Sequence, residues 1–304
     1  MTSGLLLVDK PSGITSHDVV ARARRLLGTR KVGHAGTLDP MATGLLLLGV
    51  ESATRLLSYL VGLDKEYTAT IRLGAATDTD DADGEIVSRA DARGVGDAAI
   101  AAGIAALTGP LEQIPSSFSA IKVDGRRAYD LARAGHEVTL AARPVVIRTF
   151  ELLATRREGA VIDLEVRVEC SSGTYIRSLA RDLGAGLGVG GHLTALRRTR
   201  VGPFAVADAV ELPDPRADPD AVARFPAAEV LLDPADVAAR LFPVVRLDGD
   251  TTRDLAHGKR VAIDAPDAEV AAALTPEGRL AALVEIRAER ARVLLGLPTA
   301  EVLP

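Results

Sequence analysis

The chain has little of several residue types, and each scarcity excludes a class of protein. Cys170 is the one cysteine among 304 residues, so no internal disulfide can form and a reducing compartment is expected. No apolar run is long enough to cross a bilayer, and the first residues lack the basic flank of a signal peptide, so we expect a cytoplasmic protein with no membrane segment. Tryptophan is absent and aromatic residues make up 3%, so aliphatic side chains and alanine must form the core.

Excess positive charge is also missing, because the formal net charge is −5. The charge is uneven, however: residues 1–204 hold 25 basic and 23 acidic side chains, whereas residues 205–304 hold 11 and 18. Local groups of basic residues can bind phosphate whatever the net charge, although solvated helix faces and hairpin ends are the alternative interpretation. The groups are Arg22, Arg24, Arg25, Arg30 and Lys31; Lys122, Arg126 and Arg127; and Arg197, Arg198 and Arg200.

Residues 31–44, KVGHAGTLDPMATG, form the stretch around which the rest of the chain is organised. They combine three glycines and one proline with a single carboxylate, Asp39, between two apolar runs. Glycine permits positive φ and Pro40 keeps Asp39 out of the helical region, so we expect a tight loop held by strands on both sides. Such a loop can fix one reactive side chain. A surface connection in which Asp39 only forms an Asx-turn is the alternative.

Hydrophobic periodicity predicts an α+β fold with a mixed, mainly antiparallel sheet and flanking helices. Strands are expected at 5–9, 45–50, 65–73, 145–154, 161–170 and 192–204. Helices are expected at 16–27, 53–61 and 97–108, and a fourth after residue 174. Ser16 and Thr174 are the residues expected to cap the first and the last of these helices.

Three further segments lie between these elements. Residues 110–143 are expected to form a basic, thinly packed flap that orders on a large ligand, with a strand at 118–123 and a short helix at 127–134. The acidic run at 77–85 does not match the ligand register of an EF-hand, so calcium is not expected there. The string at 186–191 matches G-x-G-x-x-G but ends a helix instead of opening one, so no dinucleotide cofactor is expected.

Several motifs, in one order along the chain, resemble the TruB family of tRNA pseudouridine synthases. They are LLLVDKPSGITSHD, GHAGTLDPMATG, DKEYTATIRLG, TDTDDADG, PSSFSAIKVDGRRAYDLAR and CSSGTYIRSLARDLG. The resemblance implies an isomerase that converts uridine 55, in the T loop of tRNA, to pseudouridine by base flipping. It also implies that no metal or cofactor takes part, and that the chain acts as a stand-alone monomer without a protein partner.

The resemblance assigns roles to individual residues. Asp39 matches the essential aspartate, the proposed nucleophile, which either attacks covalently or stabilises a cationic or glycal-type species. Arg177 matches the arginine that keeps this aspartate ionised, and Tyr67 matches the tyrosine that lies against the base and is implicated in handling the C5 proton. The residues that the resemblance places on the RNA are His34, Tyr175, Leu196, Lys10, Arg126 and Arg127.

The residues themselves leave other interpretations open. Tyr67 could be a core residue of its strand, His34 a hydrogen-bonding residue that fixes the loop, and Arg177 an ordinary surface arginine. Lys10, in the KP motif with Pro11, is interpreted as support for the catalytic loop, with a phosphate contact as the alternative.

The character of the sequence changes after residue 206. Prolines and acidic residues at 207–241 predict a connecting segment with short helices, and residues 242–304 predict a small β-rich unit that resembles a PUA-type RNA-binding domain. We therefore expect a catalytic domain at 1–241 and a PUA-like domain at 242–304. Any RNA contact of the second domain would come from Arg253, His257, Lys259 and Arg260. A non-catalytic tRNA-folding chaperone and a guide-RNA-dependent synthase are the alternative functions.

Overall fold

The computed structural model describes residues 3–118, 122–123, 126–127 and 140–303. The α-helices are α1 (Ser16–Leu26), α2 (Leu57–Val61), α3 (Asp97–Ala106), α4 (Ile176–Gly186), α5 (Ala221–Arg224), α6 (Ala227–Val230), α7 (Pro234–Ala239), α8 (Gly249–Ala256) and α9 (Thr299–Val302). The strands are β1 (Gly4–Lys10), β2 (Val32–His34), β3 (Thr43–Val50), β4 (Lys65–Leu73), β5 (Ala75–Thr77), β6 (Ile86–Arg89), β7 (Gly109–Gln113), β8 (Lys122–Val123), β9 (Arg126–Arg127), β10 (Arg143–Glu158), β11 (Val161–Cys170), β12 (Gly191–Val201), β13 (Phe204–Ala205), β14 (Leu231–Leu232), β15 (Val244–Arg246), β16 (Val261–Ala262), β17 (Ala268–Leu274), β18 (Leu280–Arg287) and β19 (Arg290–Gly296).

The larger sheet has the strand order β14-β1-β3-β12-β4-β11-β10-β7, with β2 beside β3 and β13 beside β12. Among the described strands of this sheet, β3 and β12 are the one parallel pair. The expected α+β fold with a mixed, mainly antiparallel sheet is therefore confirmed. The parallel pair brings the loop before β3 next to Arg197 and Arg198 of β12.

Alternate residues of β1 and β3 enter two different cores. Leu6 and Leu46 belong to one core, together with α1 and α4, whereas Leu5 and Leu45 belong to the other, together with the C-terminal sheet. Because both faces of these strands are buried, their sequences are continuous apolar runs and not alternating ones. The loop before β3, which carries Asp39, is thus joined to a strand that packing holds on both faces.

Both expected helix caps are wrong by one residue. Thr15 caps α1, since its hydroxyl accepts from the Asp18 amide at 3.1 Å while the Asp18 carboxylate accepts from the Thr15 amide at 2.8 Å. Ser16 is buried and exchanges two hydrogen bonds with the backbone of Leu38, at 2.8 and 3.1 Å. It therefore ties α1 to the loop that carries Asp39. At α4 the N-cap position is Tyr175, and Thr174 instead donates to the carbonyl of Ser171.

The first residues of the segment expected as a flap belong to the larger sheet. Residues 109–113 form β7, which pairs with the first residues of β10 from Gln113 opposite Arg143 to Gly109 opposite Ile147. The short pairs β8 and β9 also lie in this segment, with Arg126 opposite Val123 and Arg127 opposite Lys122. The side chains of Arg126 and Arg127, and the helix expected at 127–134, lie outside the described residues.

The C-terminal unit is a second sheet, with the order β15-β17-β18-β19-β16. The expected β-rich unit is confirmed. Leu255 and Val261 are both buried in it. The connecting segment is part of the larger sheet, because its strand β14 pairs with Leu5 and Leu6 of β1.

Candidate active site

A cavity of about 320 Å³ opens between the loop before β3, the start of α4 and the strands β4 and β12. Its volume lies in the range of small-molecule sites and suits a single nucleoside. Side chains from four separate segments line it, among them Asp39, Tyr67, Tyr175, Arg177 and Leu196. The structure therefore brings together five of the residues that the sequence had singled out.

Lys10 holds the loop through hydrogen bonds to backbone carbonyl groups. Its side chain is fully buried, and its ammonium group donates to the carbonyls of Ile14 at 2.8 Å, Pro11 at 2.9 Å and Pro40 at 3.2 Å. Burial lowers the pKa of Lys10 to about 8, an effect that the nearby Asp39 opposes. A direct phosphate contact is the wrong alternative for Lys10, since no face of the ammonium group is open to a ligand.

Arg198 binds backbone carbonyl groups of the same loop and of strand β3. Its guanidinium donates to the carbonyls of Leu45 at 2.7 Å and Gly36 at 3.1 Å, and its side chain is buried. Gly44 lies directly opposite on the parallel strand, with φ of +100°, and a Cβ there would come within 2.3 Å of the Arg198 carbonyl oxygen. Glycine is therefore required at this close approach.

The arginines of the basic group at 197–200 all have partners within the protein. Arg198 is enclosed, while Arg197 forms an ion pair with Asp9 at 2.6 Å and Arg200 one with Glu169 at 2.8 Å. Arg197 and Arg200 are partly exposed but ion-paired, so the interpretation of this group as part of an RNA footprint stays a prediction.

Asp39 and Arg177 form an ion pair at the wall of the cavity. Arg177 Nη2 donates to Asp39 Oδ1 at 3.0 Å, and Nε lies 3.0 Å from Oδ2. The guanidinium is further fixed by the carbonyls of Thr79 at 2.9 Å and Phe118 at 3.0 Å. Arg177 is 4% exposed, whereas the Asp39 carboxylate is 32% exposed and faces the cavity. Arg177 is thus a buried arginine aimed at the aspartate, and not a surface residue.

The pKa of Asp39 is raised from its ordinary value. Burial is the largest cause, the Arg177 guanidinium opposes it, and the carboxylate of Asp81 adds to it. The expected role of Arg177 as counter-charge agrees with this geometry, but burial outweighs the counter-charge in the resting site. An aspartate in this state is a stronger base and a less hydrated nucleophile than one on the surface.

Asp81 is a functional neighbour that the sequence analysis did not identify. Its carboxylate is buried and lies 3.4 Å from Arg177 Nη1. Hydroxyl groups of the same loop hold it, since Thr79 donates to its carboxylate at 2.6 Å and Thr77 to its carbonyl at 2.7 Å. The acidic run at 77–85 contained a clue to this role. Its carboxylates do not match a metal-binding motif, so they need cationic side chains as partners.

Tyr67 and Leu196 form neighbouring walls of the cavity. They come from adjacent antiparallel strands, in which Tyr67 is paired with Arg198 and Leu196 with Ala69. Burial raises the pKa of the Tyr67 phenol, so this group stays protonated across the neutral range. Tyr67 is buried in its strand and also lines the cavity, so its functional role stays a prediction beside the core interpretation.

Tyr175 is positioned by Gln113, which the sequence analysis did not single out. The buried Gln113 amide accepts from the Tyr175 backbone N–H at 2.8 Å and donates to its carbonyl at 3.1 Å. This two-bond clamp joins the end of β7 to the start of α4 and so fixes the side of the cavity from which Arg177 projects.

Lys65 is another buried cation at the cavity that the sequence analysis missed. Its ammonium group donates to the carbonyls of Val61 at 2.5 Å and Leu63 at 2.6 Å, and to the hydroxyl of Ser172 at 3.2 Å. Burial lowers its pKa to about 8. Lys65 therefore joins two walls of the cavity.

His34 lies beside the cavity, at the end of β2. Its ring meets that of His17 edge to face, with 5.6 Å between the centroids and 81° between the planes. Burial lowers the pKa of His34, and the neighbouring His17 and Arg198 lower it further. A neutral imidazole in this position can stack on a base or exchange hydrogen bonds with one.

The protein is therefore an α+β protein in which a buried arginine forms an ion pair with an aspartate at a cavity of nucleoside size. Residues 24–176 match the TruB family pseudouridylate synthase N-terminal domain, 177–218 match the tRNA pseudouridylate synthase B C-terminal domain, and 242–298 match the tRNA pseudouridine synthase II C-terminal domain. The chain belongs to the TruB family of pseudouridine synthases.

Similar curated proteins extend over the whole chain. A tRNA pseudouridine synthase B of Leifsonia xyli subsp. xyli (strain CTCB07) is 58% identical over 99% of this chain and 98% of that protein. A protein of the same name from Thermobifida fusca (strain YX) is 53% identical over 94% of this chain and 96% of its own length.

Two solved structures share the fold. One is an H/ACA RNP bound to a substrate RNA containing 2′-deoxyuridine, with a TM-score of 0.72, 25% identity, and coverage of 99% of this chain and 87% of that one. The other is a Cbf5-Nop10-Gar1 complex, with a TM-score of 0.71, 26% identity, and coverage of 98% and 86%.

In the described part of this chain, no helix is both long and apolar enough to cross a membrane.

Proposed function

We propose that this chain converts a uridine of tRNA to pseudouridine, that the uridine is position 55 in the T loop, and that Asp39 is the group that acts on its ribose. The observation that carries the proposal is the ion pair of Asp39 with the buried Arg177 inside a cavity of nucleoside size. The curated relatives, named tRNA pseudouridine synthase B, support tRNA as the substrate.

The reaction is an isomerisation, so it needs neither an oxidant nor a co-substrate. The N1–C1′ bond breaks, the base turns, and a C5–C1′ bond forms; the C5 proton is lost and N1 gains one. Asp39 either attacks C1′ or stabilises the positive charge that develops there, and both routes require the ionised carboxylate. Arg177 keeps that carboxylate oriented through the reaction.

The target nucleotide must leave the RNA stack to reach this site, because the cavity admits one nucleoside and not a stem-loop. Tyr67 offers an aromatic face to the base, Leu196 an apolar wall, and Tyr175 a second ring at the entrance. We place His34 in the RNA loop, where its neutral imidazole replaces part of the lost stacking. The protonated phenol of Tyr67 is suited to donate a hydrogen bond, or to pass on the C5 proton through another group.

We propose two domains, 1–241 for catalysis and 242–304 as a PUA-like unit, with tRNA as the partner. Lys10 acts within the first domain as support for the catalytic loop, while Arg126 and Arg127 remain candidates for the RNA footprint of the flap. A tRNA substrate agrees with the cytoplasmic location expected from the sequence.

Incubation with a T-arm minihelix, followed by nucleoside chromatography, tests this function. We expect one pseudouridine per hairpin at the loop position that corresponds to uridine 55. A hairpin whose target uridine is replaced by cytidine is the control and should yield none. Tight binding without any pseudouridine would favour the non-catalytic chaperone.

The rate should depend on pH through Asp39. Burial raises the pKa of this carboxyl, so activity should fall with decreasing pH at a higher pH than an ordinary aspartate would allow. The measurement is the single-turnover rate on the minihelix from pH 4 to pH 8, in buffers of constant ionic strength. A rate that stays constant down to pH 4 would contradict a raised pKa at the reacting group.

A further inference from the structure

Helix α1 connects the active site to a second groove on the surface. His17, at the start of the helix, contacts His34. Arg25 lies eight residues further on, which is about 12 Å along the axis and about 80° around it, and both side chains are exposed. A stem that extends from His34 along α1 would reach the level of Arg25 within about two helical turns.

The groove itself has a volume of about 400 Å³. It lies between α1 and the connecting segment around residue 215, and its walls come from both. The charged residues that line it are Asp18, Arg22, Arg25, Asp214 and Arg216. Such a volume accepts a phosphodiester group with its neighbouring ribose.

The carboxylates of the groove are already used by the protein. Asp214 forms an ion pair with Arg22 at 3.0 Å, and Asp18 accepts from the amide and the hydroxyl of Thr15 at 2.8 and 2.6 Å. These bonds fix the two acids in the capping box and in the link between α1 and the connecting segment. Arg22 compensates the charge of Asp214, and the remaining charged residues, Asp18, Arg25 and Arg216, sum to +1.

Two guanidinium groups of the groove have no such use. The side chains of Arg25 and Arg216 are exposed, and among the described residues neither side chain forms an ion pair or a hydrogen bond. The backbone N–H of Arg216 donates to the Asp214 carboxylate at 2.9 Å, and its side-chain charge is one of the smaller causes, after Thr15, of the lowered pKa of Asp18. Two unpaired guanidiniums on opposite walls are suited to bind the oxygens of one phosphate.

We propose that Arg25 and Arg216 bind a backbone phosphate in the stem of the same RNA whose loop enters the active site. The inference rests on the proposed function, because it takes the position of the loop from His34 and Asp39. The groove contacts phosphate and not bases, so it adds affinity and fixes the orientation of the stem without reading its sequence. The residues belong to no motif of the catalytic loop.

Binding of minihelices with one loop and stems of different length tests this site. In the Arg25→Gln/Arg216→Gln variant we expect Kd for the long hairpin to rise about tenfold at moderate salt, with kcat at saturating RNA unchanged. The slope of log Kd against log salt should become smaller by about one for each arginine–phosphate interaction that the substitutions remove. Arg25→Lys/Arg216→Lys should restore most of the affinity, since a lysine also binds phosphate.

The stem length locates the contact. Shortening the stem should weaken binding to the unchanged protein but have little further effect on the glutamine variant, because the phosphate and its binding groups are then both absent. Arg279→Gln/Arg290→Gln, which removes the same charge from exposed positions of the C-terminal unit, is the matched control and should retain the affinity.

The outcomes separate the two proposals. Failure of the unchanged protein to modify any hairpin would contradict the proposed function. Normal turnover, with the same Kd and the same salt slope in the glutamine variant, would overturn the groove alone. Binding of inorganic phosphate that arginine removal abolishes, without any change in RNA affinity, would overturn it as well.

Discussion

Asp39→Asn is expected to abolish pseudouridine formation while tRNA binding stays within about tenfold of the unchanged protein. The amide keeps the shape of the carboxylate and can still accept one hydrogen bond from Arg177, whose Nη2 lies 3.0 Å from Oδ1. It lacks the negative charge that both proposed routes require at C1′. The loss should therefore appear in the rate of a single turnover and not in Kd, measured with the T-arm minihelix.

Asp81→Asn is the matched control for this substitution. Asp81 faces the same guanidinium at 3.4 Å but is not among the residues that line the cavity. Its neutralisation should reduce activity less than that of Asp39, and it should move the acid limb of the rate to lower pH, because Asp81 contributes to the raised pKa of Asp39. If both variants retain turnover near the original rate, Asp39 is not the reacting group.

Thermal unfolding separates this chemical loss from a structural one. The folded-state pKa of Asp39 lies above its unfolded value, so its contribution to stability is complete below the unfolded pKa and is lost as pH rises through the folded pKa. The Tm of Asp39→Asn relative to the unchanged protein should accordingly increase from pH 4 towards neutrality. A relative Tm that decreases over this range would mean that the Arg177 interaction outweighs burial.

The sheet could be predicted from sequence where one simple pattern decides the structure. Residues 65–73 alternate between buried and half-buried positions, and β4 has the bounds expected from that alternation. Strand β7 was missed because Gly109 and Pro110 favour a turn, and only pairing with β10 makes the segment extended. The conformational preferences of these residues alone do not show that they will pair with β10.

The sequence predicted which candidate residues meet at the cavity, but not the residues that support them. Asp39 stood out as the single carboxylate of a glycine-rich loop, and a family resemblance supplied the other residues. Arg198 and Gln113 could not be identified in this way, since a buried arginine with backbone acceptors has the same sequence signature as an exposed one. Ser16 shows the limit at closer range: a serine at a helix start favours a cap, whereas here tertiary structure uses its hydroxyl to hold Leu38.

Arg177→Met should cause a severe loss of activity together with a loss of stability. The arginine is 4% exposed and contacts the carboxylates of both Asp39 and Asp81, so the methionine variant leaves two acidic groups facing each other without a cation. Removal of one partner from a buried ion pair costs about 3–5 kcal/mol. The pKa of Asp39 should rise further, so the remaining activity should be shifted to higher pH.

A second variant distinguishes the loss of activity from the loss of stability. Arg177→Met/Asp81→Asn removes one of the unpaired charges and should recover part of the Tm, measured by thermal unfolding, but it should not recover turnover, because Asp39 still lacks the donor that orients it. Arg177→Lys supplies a charge without the planar fork and should give intermediate activity. If the double variant regains full turnover along with its stability, Arg177 serves only to neutralise the buried acids, and the orientation of Asp39 must come from its own loop, through Lys10, Ser16 and Arg198.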